Sequence, residues 1–298
     1  MANTTNTNYG NQMLSSRIGR GFRQLMGDSS GVMTFIGLIL LSLFVLMAIF
    51  APYISPYSPV EPSGAPLLSP QWGHIMGTTN LGYDVFSRFI WGSRMALLIA
   101  VIATSIAAFI GIPTGLLVGY AGGVTDRIVT MIMDSVYTFP GLILAIAIAA
   151  MLGPGVLNIS LSIAVVYIPT YYRVIRSQVS TIKSELYVEG ARSIGAKNMT
   201  IIGKYILPNV LPSTIVVLSM NIADAVMTEA GLSFLGLGIP PPVPDWGYDL
   251  AKGQQFLLQN DWWMVVFPGI AIILLVLGFS MFAEGMDEYL NPNIGEKR

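Results

Sequence analysis

Six runs of this chain are each apolar over about the twenty residues that cross a hydrocarbon core roughly 30 Å thick. They cover residues 32–50, 95–120, 128–152, 159–174, 211–229 and 264–283. Inside hydrocarbon every backbone N–H and C=O must find its partner within the protein, which for continuous apolar runs means α-helix. Composition agrees. Hydrophobic residues make up 53% of the 298 and charged ones 10%, and the mean hydropathy is +0.66. That leaves too little polar surface to cover a soluble globule. The expected fold class is therefore all-α: a polytopic membrane protein with six transmembrane helices. Pro140 is expected to kink the third, by removing a backbone donor and crowding the preceding turn. Gly111 and Gly115 allow the second to approach a neighbour closely.

The same composition excludes several chemistries. With no cysteine there is no disulfide, thiolate metal site or cysteine nucleophile. A single histidine, His74, supports neither a zinc cluster nor a His-based triad and reads as a solvated loop residue. No metal site and no cofactor are expected in this chain. It also lacks a glycine-rich phosphate loop ending in Lys-Ser or Lys-Thr, so any ATP must be bound by another subunit. The net charge of −1, without a clustered basic face, does not suit nucleic acid.

Basic residues beside membrane spans stay on the cytoplasmic side. With the N-terminus inside, 12 of the 15 Lys and Arg fall in inner segments, and the other three are Arg88, Arg94 and Lys252. All five tryptophans fall in outer segments, as a one-sided aromatic belt. Both termini are then cytoplasmic. Residues 1–30 form an inner tail, where Leu14, Ile18, Phe22, Leu25 and Met26 recur at helical spacing opposite Arg17, Arg20 and Arg23, the pattern of an interfacial helix. The first span is read as a retained anchor, since no small-residue cleavage site precedes Pro52. Residues 31–283 form the membrane domain, with a cytoplasmic loop over 175–210, and residues 284–298 form a C-terminal tail.

That loop carries EGARSIGAKNMTIIGKYILP, from Glu189 to Pro208. Leu186, Glu189, Gly190, Ser193 and Ile194 fall at helical intervals, so a short helix presents small and apolar residues to a partner. Gly195 ends it, because glycine alone enters a left-handed cap without steric cost. A second helical run, Met199 to Ile206, is expected to stop near Pro208.

This spacing resembles the EAA loop of permease subunits in ATP-binding-cassette importers: Glu-Ala-Ala, three residues, Gly, nine residues, Ile, one residue, Leu-Pro. Gly190 replaces the first Ala of that pattern and Tyr205 the Ile. The segment from His74 to Ala100 resembles a block of the dipeptide, oligopeptide and nickel importer permeases. Gly77, Thr78, Gly82, Asp84, Ser87, Arg88, Gly92 and Arg94 match it, and Asn80 and Tyr83 depart. Glu229 to Leu250 and Asp261 to Leu277 resemble the same branch and point to the second of two paralogous permease subunits. The tail departs from it, with Glu284, Asp287 and Glu288 where that branch is less acidic.

The resemblance implies the type I ABC importer permease fold, with a cytoplasmic EAA coupling loop. It implies four kinds of partner: a homologous permease subunit, two ABC ATPase subunits that bind ATP and Mg, an extracytoplasmic solute-binding protein, and a peptide substrate. Glu189, Gly190, Ala191, Ile194, Gly195, Ala196, Leu207 and Pro208 would then form the contact to the ATPase. Nickel-chelate and glutathione permeases are alternatives within the same family.

Charged side chains in apolar runs cost roughly 2.5–3.5 kcal/mol each and should face a partner or water. Asp224, Glu229 and Asp134 are accordingly candidates for a translocation pathway or for structural hydrogen bonds. Asp134 can pair with Arg127 or a loop arginine. Asp84, Arg88 and Arg94 either stabilise one another or face a docked receptor as part of a lid. In an ion-coupled carrier, the rival reading, the three acids would be proton sites. A receptor or assembly subunit with no pathway of its own is a third reading.

Overall fold

The computed structural model describes residues 29–290, and these form helices without any strand. Helix α1 (Ser29–Ile54) is followed by an outer loop and the long α2 (Val85–Ala121). Next come α3 (Gly123–Thr138), α4 (Gly141–Leu152), α5 (Val156–Ile182) and the short α6 (Leu186–Ser193). Helix α7 (Asn198–Phe234) leads through a second outer loop to α8 (Trp246–Gly253) and α9 (Trp263–Leu290). The interfacial helix expected over Leu14–Met26 lies outside the described residues.

Two close helix contacts hold the bundle. On α2, Gly111, Gly115 and Gly119 recur every fourth residue and face α5. A Cβ added at Gly111 would lie 2.6 Å from Tyr171 Cβ, and one at Gly115 2.9 Å from Ile175 Cβ. Without those side chains the backbones approach closely enough to bury Tyr171, Tyr172 and Ile175 completely. Gly37 of α1 meets Gly278 of α9 in the same way, its added Cβ falling 2.8 Å from Gly278 O. The opposite face of α1 exposes Leu38, Leu43, Leu46 and Ile49, apolar surface that suits lipid.

Three of the six expected spans come out differently. Where a kink was expected at Pro140, the helix breaks between Thr138 and Gly141, and α3 and α4 meet at 90°. Phe139, preceding the proline, is extended (ψ 139°), the conformation that proline imposes on its predecessor. The run expected over 211–229 is part of a helix that starts at Asn198 and does not stop at Pro208. A π-helical segment, Ile202–Ile206, widens the coil ahead of the proline, and Leu207 N–H bonds back to Ile202 O. The fourth run sits in α5, which also carries Arg173 and Arg176. Helices α1, α2, α7 and α9 are each long and apolar enough to cross a membrane, and the α3–α4 pair makes a fifth crossing if it counts as one. Helix α5, 27 residues long, packs along the spanning α2 and is more polar than those helices.

Candidate functional site: the two ends of the bundle

At one end the α5–α6 turn begins with Lys183, whose ammonium donates to Gly119 O (2.9 Å) at the end of α2. Helix α6 closes as a Schellman cap: Ala196 N–H bonds to Ala191 O and Gly195 N–H to Arg192 O, both at 3.0 Å. Gly195 takes φ +85°, the left-handed value such a cap requires. Val188 and Ala191 turn inward, and Val188 packs with Ile201, Ile202 and Ile206. The outer side is the unusual one. Leu186 and Ile194 are 83% and 84% exposed, Met199 is 69%, and Glu189 and Gly190 are exposed beside them. Leu207 is half-buried and Pro208 exposed. Arg192 lies over the Tyr120 ring, whose hydroxyl donates to Asn198 Oδ1 (3.0 Å), so this rod is tied to the end of α2.

Next to it, Arg176 of α5 makes a two-point contact with Asp126 of α3, Nη2 to Oδ2 being 2.7 Å. Asp134 pairs with Arg173 of α5 at 3.2 Å, not with Arg127, and Arg173 covers the Tyr137 ring. Both arginines therefore fasten the broken span to α5. Sequence reading did not single out Asp126. Its signal was an acid in the first turn of a helix, which also favours the helix dipole.

At the opposite end the outer loops fold over the starts of α2 and α9. Asp84 caps α2, accepting from Ser87 N and Oγ at 2.7 Å each, and its other oxygen lies 2.9 Å from His74 Nδ1. His74 is buried, contrary to the expectation of a solvated residue, and stacks on Tyr57. Arg88 is 2% exposed and spends its donors on Asp249 (Nη2 to Oδ1 2.7 Å) and on the carbonyls of Pro59, Pro242 and Val243. Expected to pair with one another or to face a receptor, Asp84 ties the first outer loop to α2 and Arg88 joins that loop to the second. Arg94 alone of the three is exposed, over the Trp91 ring. Burial pushes the Asp249 carboxyl above its usual range although the Arg88 guanidinium pulls the other way.

Glu229 and Asp245 are buried on either side of Ser233, whose hydroxyl lies 3.0 Å from Glu229 Oε1 and 2.7 Å from Asp245 Oδ2. One hydroxyl proton cannot serve two carboxylates, so the trio is fully bonded only when one carboxyl is itself protonated. Asp245 also caps α8 through Tyr248 N–H (3.0 Å). Asp224 differs from both. It is exposed on α7 between Met220 and Met227, with no hydrogen bond or ion pair to its carboxylate among the described residues. Beside it Thr228 donates to Asp224 O, which leaves the Tyr167 hydroxyl to donate to Thr228 Oγ1 (3.0 Å).

Known proteins resemble this chain in sequence and in fold. Residues 111–296 match the family model described as the binding-protein-dependent transport system inner membrane component, and residues 33–71 match the N-terminal TM domain of oligopeptide transport permease C. The chain is 38% identical to the dipeptide transport system permease protein DppC of Alkalihalophilus pseudofirmus, over 92% of this chain and 89% of that one. It is 36% identical to the glutathione transport system permease protein GsiD of Pectobacterium atrosepticum, over 85% and 84%. Among solved structures, an inward facing conformation of the MetNI methionine ABC transporter covers 70% of this chain and 96% of its own, with TM-score 0.54 at 19% identity. At that identity the likeness concerns the fold.

Proposed function

Because the chain belongs to the family of binding-protein-dependent transport system inner membrane components, we propose that it is the second permease subunit of an ATP-driven importer of short peptides. It forms the pathway with a homologous permease, and two ATPase subunits supply the ATP and Mg chemistry that this chain lacks. An extracytoplasmic receptor delivers the substrate. The excess of Lys and Arg in the segments on the α6 side supports a cytoplasmic α6 end and cytoplasmic termini.

The observation that carries this reading is the outer face of α6. A helix anchored on its inner side by Val188 and Ala191, and exposing Leu186 and its cap residue Ile194 beside Met199 at the start of α7, suits burial against another protein. Glu189, Gly190, Ala191, Ile194, Gly195 and Ala196 form this rod and its cap, and Leu207 and Pro208 follow where α7 enters the bundle. ATPase closure would push the rod, and the ties of Lys183 and Arg192 to the end of α2 would pass the motion to the spans.

Peptide is the substrate class because permeases of dipeptides and of glutathione are both close relatives. Asp224 is the acid we assign to the pathway, being exposed and unpaired. Glu229 and Asp134 are held by other side chains. The test is uptake of a labelled dipeptide by vesicles holding the assembled transporter. Uptake should require ATP and survive loss of the proton gradient. Uptake that collapses with the gradient while ATP is held constant would favour the ion-coupled carrier.

A further inference from the structure

Between the two outer loops and the starts of α2 and α9 lies a cavity of about 220 Å³. Its lining is mixed, with Phe89, Trp246, Met264 and the Pro241–Pro242 pair giving the apolar part. Its charges nearly cancel. Arg88 and Asp249 both line it, but they are paired with each other, and Arg88 gives its remaining donors to loop carbonyls. What remains is Lys252, whose ammonium lies over the Tyr248 ring and makes no ion pair or hydrogen bond among the described residues. The side-chain amides of Asn80 and Gln255 also line the cavity, and neither makes a hydrogen bond there. The free groups thus amount to one cation and two amides beside an apolar patch of wall.

We propose that this cavity binds the C-terminal residue of a short peptide, its carboxylate on Lys252 and its apolar side chain against Trp246 and Met264. An occupant with one negative charge and an apolar body complements the lining in both respects. Size supports a single residue, since the cavity falls below the roughly 300–1,000 Å³ that encloses a drug-sized ligand. The site lies at the end of the bundle opposite α6, so it would hold a peptide on its way from receptor to pathway. This deepens the peptide-import reading and rests on it.

The test uses the full-length chain purified in detergent, with binding followed by tryptophan fluorescence. N-acetylphenylalanine should bind saturably, and N-acetylphenylalanine amide about ten-fold more weakly, the loss of one charge-assisted contact. Lys252→Gln should weaken the acid about ten-fold and leave the amide unchanged, bringing the two probes level. The dipeptide Ala-Phe should compete. Equal binding of acid and amide, no binding at all, or an unchanged affinity in Lys252→Gln overturns the proposal. So does failure of Ala-Phe to compete, which would assign the carboxylate to another source, such as a receptor side chain. The acid and amide pair reads the wild-type chain, so the test stands even if the variant misfolds. Absence of binding alongside intact ATP-driven uptake removes the cavity alone. Uptake that does not depend on ATP removes the reading beneath it.

Discussion

Replacing Arg88 with Met keeps most of the side-chain volume and strips away the hydrogen bonds through which this side chain joins the outer loops. The half-buried Asp249 would be left without its partner, and the carbonyls of Pro59 and Pro242 would lose their donor. Breaking a buried pair from one side costs about 3–5 kcal/mol. Unfolding of the purified chain in mixed detergent micelles should show a loss of that order, and a loss under about 1 kcal/mol would mean the pair is screened like a surface bridge. Gly190 behaves in the opposite way. It lies within a helix with nothing within 4 Å of an added Cβ, so Gly190→Ala should stabilise α6 by about 0.5–1 kcal/mol and leave uptake intact. A drop in uptake would show that the partner fills that space. Arg88 was visible in the sequence as a charge in a patterned block. Its partner was not, because Asp249 lies 161 residues away and meets it only when two outer loops fold across each other.

At the scale of elements, prolines show where sequence reading stops. Pro140 and Pro208 both remove a backbone donor, yet one ends a helix and the other is carried through it. Pro140 is followed by Gly141 and leads into a separate helix, whereas Pro208 is preceded by a π segment that absorbs the misfit. Which outcome prevails depends on packing: Ile201, Ile202, Ile206 and Val210 are all buried on both sides of the would-be stop, which holds the helix together. The glycines of α2 were easier to read, since small residues at a helix contact have one main use. Gly111→Leu should drive a side chain into Tyr171 and Ile168 and separate α2 from α5. Overpacking of this kind costs about 1–3 kcal/mol or more. A lower melting temperature checks it, and an unchanged one would contradict the close crossing. The Ser233 trio makes a finer prediction. Glu229→Gln keeps a donor and an acceptor beside Ser233 and should melt like the parent, whereas Glu229→Ala leaves Ser233 and Asp245 under-bonded and should cost about 1–3 kcal/mol. Equal melting of the two variants would mean that the trio does not hold the loop.

On the scale of the whole molecule, the outer end of the bundle is cross-linked through buried charges and the other end presents an exposed rod. The outer loops satisfy Asp84, Arg88, Glu229 and Asp245 internally, while α6 and the start of α7 leave Leu186, Ile194 and Met199 bare. That contrast is what a subunit needs if motion enters from one side. The rod can pass on motion only if it stays rigid, which makes Gly195 critical. Its φ of +85° excludes a bulky residue without strain, so Gly195→Trp should allow assembly and abolish uptake. The central claim is that α6 sits against an ATP-hydrolysing subunit, and the absence of native cysteine makes it directly measurable. With Ile194→Cys as the chain's single thiol, cross-linking in the assembled transporter should capture the ATPase, with a yield that changes when ATP binds. A thiol that captures no ATPase and reacts freely with a water-soluble maleimide, with and without nucleotide, would contradict the account.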